Sequence, residues 1–334
     1  MAILLTGGAG YIGSVTNALL VSKNIPTVIF DNFSTGHMGA FEKTSFVTGD
    51  LKNRRDLEKV FFKYDIIAVI HFGALALAGE SMERPYEYYL TNVLGGLNLL
   101  ETMRRNNCHQ IVFSSSCSIF GHPDKLPVTE DTPKNPISVY AETKFMFEQL
   151  LKRYDSLFGV KYVALRYFNA SGASLDGAHG EDHFPETHII PNAIFAALKK
   201  KPTFDLFGTD YKTPDGTCIR DYIHVEDLAT AHVKALDYLT KNNVSDEFNL
   251  GSGKGYSNKE VIKAVEKIAG VKISVTTHPR RPGDPDAIFA DPSKAQKMLG
   301  WKAEHSDLET IIKSAWEWHT KHPEGYNTMY IGAS

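Results

Sequence analysis

The chain has 334 residues, of which 43% are hydrophobic and 22% charged, and its formal net charge is -3. This composition is typical of a globular protein with one large or two medium domains. It does not indicate binding to nucleic acid or to an anionic membrane surface. Neither a signal peptide nor a membrane span is expected. The three cysteines, Cys108, Cys117 and Cys218, are too few and too scattered for a disulfide framework or a cysteine zinc site, so we expect a reducing, cytoplasmic setting.

The N-terminal segment has the pattern of a dinucleotide-binding unit. An apolar run over 3–6 predicts a buried parallel strand, and a helix is predicted from the following glycines to about residue 23. Such glycines allow a tight turn and a close approach of the backbone to a pyrophosphate, which the helix N-terminus then attracts. The residues predicted to hold the pyrophosphate are Gly7, Gly10, Tyr11, Ile12 and Gly13.

A second predicted strand, over 27–30, ends at Asp31. A carboxylate at this position is placed to accept hydrogen bonds from a ribose diol, and it repels a 2′-phosphate. No arginine follows in 32–35, so the sequence favours NAD over NADP.

Strands and helices continue to alternate. The pattern predicts a doubly wound parallel sheet of the Rossmann type, with ligands at the C-terminal strand ends and a smaller mixed α/β domain after it. We predict an NAD-binding domain over 1–168, to which a segment near 218–240 returns, and a mainly substrate-binding domain over 169–330. The further strands are predicted at 45–47, 66–71, 110–113 and 160–165, and the helices at 53–63, 85–106 and 140–158.

The predicted chemistry lies on Ser114–Ser116, after the strand over 110–113, and on the helix that follows. Tyr140 and Lys144 are four residues apart, so their side chains share one helix face. A neighbouring ammonium favours phenolate and lowers the tyrosine pKa from its usual value of about 10. With Ser116 sharing the proton, this group could take a proton from an alcohol. The competing interpretation is an ordinary exposed helical turn.

Polar residues of the second half fit a phosphorylated ligand. Two separated arginines, Arg220 and Arg281, suit a diphosphate because guanidinium binds phosphate oxygens in a bidentate manner. The alternative for Arg220 is an ion pair with Asp221 or Asp227. Phe207 either stacks on a flat base or belongs to the core.

Histidines give no clear metal signal. His71 closes a buried strand and is expected to be a hydrogen-bonded structural group. His179, Asp182, His183 and His188 lack the regular ligand spacing of a helix or hairpin, so no metal is expected.

Several motifs resemble the extended short-chain dehydrogenase/reductase family, and within it the members that invert carbon 4 of UDP-hexoses. The motifs are 6–13, His71-Phe72, Gly79–Ser81, Tyr88-Tyr89, Arg166–Asn169, Gly180–Asp182, Pro185–His188, Asp215–Val225 and His322–Tyr326. The resemblance implies tightly held NAD and UDP-glucose, UDP-galactose or a related UDP-sugar as substrate. It also implies a homodimer built through the helices near 88–105 and 140–158.

The resemblance also assigns roles: Tyr140 is the base, Lys144 tunes it and binds the nicotinamide ribose, and Ser116 assists at the sugar O4. The implied cofactor-binding residues are Gly7, Gly10, Tyr11, Ile12, Gly13, Asp31, Asn32, Ser34, Thr35, Gly36, Asp50, Leu51, Phe72, Gly73, Ala74, Ala76, Asn92, Ser114, Tyr140, Lys144, Tyr167 and Phe168. The implied substrate-binding residues are Ser116, Tyr140, Asn169, His188, Ile189, Phe207, Arg220, Arg281 and Asp284.

The chain departs from the family pattern at a few positions. Ala76 replaces a lysine of some members, and Cys117-Ser118 stands where related dehydratases and decarboxylases carry carboxylates, which disfavours chemistry at carbon 5. Ile288 lies where the size of the side chain is linked to acceptance of N-acetylated hexosamines, and isoleucine is of intermediate size, so UDP-N-acetylhexosamines stay open as substrates. A 4-epimerase that acts on UDP-pentoses or UDP-hexuronates also stays open. A non-catalytic NAD-binding scaffold would be expected to lose Tyr140, Lys144 or the serine.

Overall fold

The structure is a computed structural model that describes residues 1–281 and 283–326. The strands are β1 (Ala2–Thr6), β2 (Thr27–Asp31), β3 (Ser45–Thr48), β4 (Ile66–His71), β5 (Gln110–Ser114), β6 (Lys161–Arg166), β7 (Asn169–Ser171), β8 (Phe204–Phe207), β9 (Ile219–Arg220), β10 (Tyr222–His224), β11 (Asp246–Asn249), β12 (Tyr256–Ser257), β13 (Val275–His278) and β14 (Ala287–Ile288). The helices are α1 (Tyr11–Ser22), α2 (Arg54–Lys63), α3 (Ala78–Glu83), α4 (Pro85–Tyr88), α5 (Gly95–Arg105), α6 (Val139–Phe158), α7 (Ile189–Ala197), α8 (Val225–Asn242), α9 (Asn258–Ala269), α10 (Ser293–Leu299) and α11 (Leu308–Lys321).

A seven-stranded sheet forms the centre, in the order β11-β6-β5-β4-β1-β2-β3, and all its neighbours pair in parallel. The inner strands β1, β2, β4, β5 and β6 are mainly apolar on both faces because helices cover both, whereas the edge strand β3 is largely exposed. Side chains alternate between the faces, so Leu5 packs in the core shared with α1 and α8, and Leu4 in the core shared with α2, α5 and α6. The structure therefore confirms the predicted doubly wound α/β class.

The helix predicted over 85–106 is interrupted. Between α4 and α5 the chain forms a π-helical segment, Tyr89–Leu94. The side chain of Asn92 is buried in this segment. Its amide nitrogen donates to the Leu75 carbonyl and to the Thr143 hydroxyl, each at 3.0 Å. Its side-chain carbonyl accepts from the Leu75 N–H at 2.8 Å. Such wide turns often occur where a side chain must reach out of a helix, and this one ties the loop after β4 to α6.

The residues after β6 form a second layer of structure beside the carboxyl ends of the main sheet. Helices α7, α9 and α11 pack around one apolar cluster with β8 and β10. Two later elements belong to the main sheet: α8 packs on it beside α1, and β11 extends it next to β6. Pro282 and residues 327–330, within the predicted second domain, lie outside the described residues. Within the described part of the chain, no helix is both long enough and apolar enough to span a membrane.

Candidate active site

The predicted cofactor residues cluster at one edge of the sheet, the carboxyl edge, where its parallel strands end. Asp31 and Ser114 close β2 and β5, while Gly7, Phe72 and Tyr167 directly follow β1, β4 and β6. The other predicted cofactor residues on the adjoining loops and the first turn of α1 are Gly10, Tyr11, Ile12, Gly13, Asn32, Ser34, Thr35, Gly36, Asp50, Leu51, Gly73, Ala74, Ala76 and Phe168. Among these, Asn32, Ser34, Thr35 and Ala76 are exposed.

The turn after β1 has room only for glycine. Gly7 has a φ of +70°, and a Cβ there would lie 2.5 Å from the backbone nitrogen of Gly73. A Cβ on Gly13 would lie 2.5 Å from the Gly7 carbonyl oxygen, so this glycine lets the first turn of α1 sit against the loop. The helix begins directly after Gly10, a cap residue without a side chain, and its positive end faces the turn. This cradle fits the pyrophosphate of a dinucleotide.

Asp31 connects the turn to β2. Its Oδ2 accepts from the Ala9 N–H at 3.0 Å and its Oδ1 from the Phe33 N–H at 2.8 Å. Burial raises the pKa of Asp31, and the two backbone N–H groups oppose that shift. Each carboxylate oxygen keeps a further acceptor site, which fits a ribose hydroxyl. Asp31 as a whole is buried, with 8% of its surface exposed.

Tyr140, Ser116 and Lys144 are brought together by the packing of α6 on β5. The Ser116 side chain is the neighbour that acts to lower the pKa of Tyr140, and its hydroxyl accepts from the Ser118 N–H at 3.1 Å. The Lys144 amine donates to the Ser114 carbonyl at 2.8 Å and lies 5.9 Å from the centroid of the Tyr140 ring. Ser138 caps α6 by accepting from the Ala141 N–H, which fixes the turn that carries Tyr140.

The predicted lowering of the Tyr140 pKa is wrong for the protein alone. Burial raises the pKa of Tyr140, and Ser116 only partly opposes that shift. Burial also lowers the pKa of Lys144 to about 7, although the Glu148 carboxylate opposes that change. Sequence spacing correctly places the two groups on one helix face, but removal of both from water outweighs their mutual effect.

Two groups behind the serines were missed by the sequence analysis. Glu148 accepts from the Ser115 hydroxyl at 2.6 Å and pairs with the Arg166 guanidinium, Oε2 to Nη2, at 2.6 Å. His232 Nε2 lies 2.8 Å from the Ser114 hydroxyl, which also accepts from the Tyr167 phenol. The position of Glu148 four residues after Lys144 was the available signal, since it places the carboxylate on the same helix face.

Residue His71 behaves as predicted. Its Nδ1 lies 2.6 Å from the Thr6 hydroxyl, and burial lowers its pKa to about 3, so the ring is neutral and structural.

Arg220 pairs with neither Asp221 nor Asp227, so that alternative is wrong. Its Nη2 lies 3.3 Å from Oδ1 of Asp284, another predicted substrate residue, and its Nη1 donates to the carbonyls of Ile219 and Pro285. Nη2 is buried and makes no hydrogen bond within the described residues. A guanidinium nitrogen with this spare donor capacity fits a phosphate oxygen.

Other predicted substrate residues lie on separate segments. Phe207 is half-buried rather than in the core: the Arg281 guanidinium carbon lies 4.2 Å from its ring centroid, and the His278 ring stacks on it at 5.0 Å. Asn169, on β7, donates from its amide to the Asp221 carbonyl at 2.8 Å. Pro282, beside Arg281, lies outside the described residues.

The loop before α7 brings together residues that are irregularly spaced in sequence. His183 and His188 face Glu181 and Glu186, whereas His179 and Asp182 are not part of this group. Burial disfavours a charge on His188, but the two carboxylates outweigh it and raise the pKa of His188 well above its usual value. His188 also begins α7 as its cap residue, and Ile189 is the first residue of that helix.

Comparison with known proteins agrees with this geometry. Residues 3–251 match the model of the NAD dependent epimerase/dehydratase family. The chain belongs to this family. The match confirms the predicted resemblance to an epimerase and the prediction of an NAD-dependent enzyme.

Relatives of this epimerase family member match nearly the whole chain. The chain is 47% identical over 327 residues to UDP-glucose 4-epimerase of Lactobacillus helveticus, and the alignment covers 98% of this chain and 99% of that protein. The crystal structure of UDP-glucose 4-epimerase from Brucella ovis in complex with NAD matches with a TM-score of 0.92 and 46% identity, over 94% of this chain and 97% of that one. The Bifidobacterium longum enzyme in complex with NAD+ and UDP matches with a TM-score of 0.92 and 39% identity, over 97% and 100%.

Proposed function

We propose that the protein is an NAD-dependent isomerase that interconverts UDP-glucose and UDP-galactose by inverting carbon 4 of the sugar. The observation that supports it most directly is the position of Lys144: its amine is 2.8 Å from the Ser114 carbonyl and 5.9 Å from the Tyr140 ring centroid, at the same sheet edge as the glycine cradle. A base for an alcohol and a dinucleotide cradle are the two parts that oxidation at carbon 4 requires.

NAD, which the glycine cradle and Asp31 would hold, would supply the hydride acceptor for carbon 4 and the donor for return of the hydride to the opposite face of the sugar. The Tyr140 phenolate accepts the proton of the sugar O4 and gives it back when the alcohol forms again. Ser116, beside the phenol, shares that proton and orients the ring. Lys144 holds its ammonium beside the phenol through the Ser114 carbonyl and offers donors to a ribose.

Inversion requires that the sugar can turn while its UDP group stays bound. We assign the diphosphate to Arg220 and Arg281, which lie on different segments and bring two guanidinium groups. Asp284 positions Arg220 through the 3.3 Å ion pair. Asn169, His188, Ile189 and Phe207 complete the assigned UDP site. Residues 1–168 with the segment near 218–240 are assigned to NAD, and most of 169–330 to the UDP-sugar.

We further propose a cytoplasmic homodimer. Large apolar side chains are exposed within the two ranges that the resemblance assigns to the contact: Leu94 is 41% exposed, Met146 38% and Leu157 62%. Burying such a patch against its copy removes apolar surface from water.

The test is conversion of UDP-galactose to UDP-glucose by the purified protein, measured by chromatographic separation. Tyr140→Phe is expected to lose about 10²–10⁴ in rate, the usual contribution of a positioned base. Tyr154→Phe, on the same helix but packed in the core behind the sheet, is the matched control. Turnover by Tyr140→Phe at the rate of the control would contradict the assignment. UDP-N-acetylglucosamine and UDP-xylose, run in parallel, report on the room beside Ile288, which is 5% exposed.

A further inference from the structure

Four side chains of the loop before α7 converge on one point. Glu181, His183, Glu186 and His188, the Glu/His cluster, each offer one ligand atom, and these atoms all lie within 4.8 Å of one another. His188 Nδ1 is 2.7 Å from Glu181 Oε1 and 2.9 Å from Glu186 Oε1. His183 Nδ1 is 3.2 Å from Glu181 Oε1 and 3.9 Å from Glu186 Oε2.

We propose that the Glu/His cluster binds one zinc ion through two imidazole nitrogens and two carboxylate oxygens. Four tetrahedral ligands at the roughly 2.0–2.2 Å typical of zinc stand about 3.4 Å from one another. The nitrogen–oxygen distances in the cluster run from 2.7 to 3.9 Å and bracket this value, and one ligand atom from each residue lies within 4.8 Å of all the others. Imidazole nitrogens exclude Mg²⁺ and Ca²⁺, which prefer oxygen ligands alone.

Charge and burial both favour a divalent cation. The side chains of Glu181 and Glu186 are 5% and 6% exposed, and two carboxylates so close together and out of water need two compensating positive charges. A zinc ion supplies both and leaves the imidazoles neutral. His183 and His188 are 31% and 41% exposed, which gives an ion a path from solvent to the buried carboxylates.

The backbone already holds part of the site in place. The His188 N–H donates to Glu186 Oε1 at 2.7 Å, so this carboxylate is fixed beside the histidine ring. The His183 ring packs edge-on against Tyr11, 6.3 Å between centroids, at the start of α1. Since His188 caps α7, zinc on its Nδ1 would fix the start of that helix. The proton of the neutral imidazole would then be on Nε2, which could donate a hydrogen bond.

The experiment measures metal bound by the full-length protein as purified. After treatment with a chelator, the protein is dialysed against ZnCl₂, and bound zinc is counted by elemental analysis and titrated by calorimetry. One zinc per chain is expected, with MgCl₂ giving none. Glu181→Gln and His183→Gln should each weaken zinc binding by more than about 100-fold, above the roughly 10–100-fold that loss of a supporting hydrogen bond costs. His109→Gln and His122→Gln, at exposed positions on other loops, should bind zinc like the wild type.

Two results would overturn the proposal. The first is wild-type protein that binds clearly less than one zinc per chain, in which case the carboxylates are balanced by two imidazolium ions instead. This measurement does not depend on whether any variant folds. Zinc binding that is unchanged in Glu181→Gln and His183→Gln, with native circular dichroism, places the ion elsewhere on the surface. Zinc binding is measured without a UDP-sugar, so its outcome is separate from that of the epimerase test.

Discussion

Removal of one member of the buried ion pair between Glu148 and Arg166 should strongly destabilise the protein, because the other charge would stay buried without its partner. The two side chains are 0% and 1% exposed, and two bonds join them: Nε to Oε1 at 2.9 Å and Nη2 to Oε2 at 2.6 Å. Ser115 adds a third bond to the carboxylate. Glu148→Gln keeps the shape of the side chain but removes its charge, so the guanidinium stays buried with one bond fewer.

The magnitude follows from what remains around Arg166. The next described carboxylate, Glu247, is 3.8 Å from its Nη2, and its Nη1 has no hydrogen-bond partner within the described residues even in the wild type. Breaking a buried pair by removing one partner costs about 3–5 kcal/mol. We expect that loss in the free energy of unfolding for Glu148→Gln, measured from urea denaturation followed by circular dichroism.

The double variant Glu148→Met with Arg166→Met separates charge from packing. Replacing both members of a buried pair by apolar side chains of similar volume is often close to neutral, so the double variant should be more stable than Glu148→Gln alone. A loss below about 1 kcal/mol in the single variant, or a double variant that is less stable than the single one, would refute the reasoning.

Two further outcomes follow from the site. Burial lowers the pKa of Lys144 from 10.5 to about 7, so between these pH values the unfolded chain binds more protons than the folded protein, and the free energy of unfolding rises with pH. Lys144→Met should remove up to about 1.4 kcal/mol of that rise per pH unit. If urea denaturation gives both proteins the same change of unfolding free energy with pH, this expectation is wrong. Gly7→Ala would place a Cβ 2.5 Å from Gly73 N at a φ of +70°, and it should lose bound NAD and at least about 1 kcal/mol of stability. Gly79→Ala, whose Cβ meets no atom within 4 Å, should retain NAD, and equal NAD retention by both variants would argue against the cradle.

Local patterns in the sequence determined the sheet and the position of the site. Apolar runs predicted the buried parallel strands, because a strand covered on both faces needs apolar side chains on both. The carboxyl ends of parallel strands meet at one edge of the sheet. Residues that end or follow different strands, such as Gly7, Asp31 and Ser114, could therefore be placed together from the sequence alone. The pairing of Tyr140 with Lys144 was equally local, since four residues span about one helical turn.

Only the tertiary structure decided which distant groups meet and how deeply they are buried. Arg166 pairs with Glu148, which lies 18 residues away on another element. Arg220 pairs with Asp284 and not with Asp221, its neighbour in sequence. The direction of the Tyr140 pKa shift depends on burial, which spacing along a helix does not report. The Glu/His cluster was missed for a related reason: a folded loop brings side chains together without the periodicity of a helix or hairpin, so its ligand geometry exists only once the loop is packed.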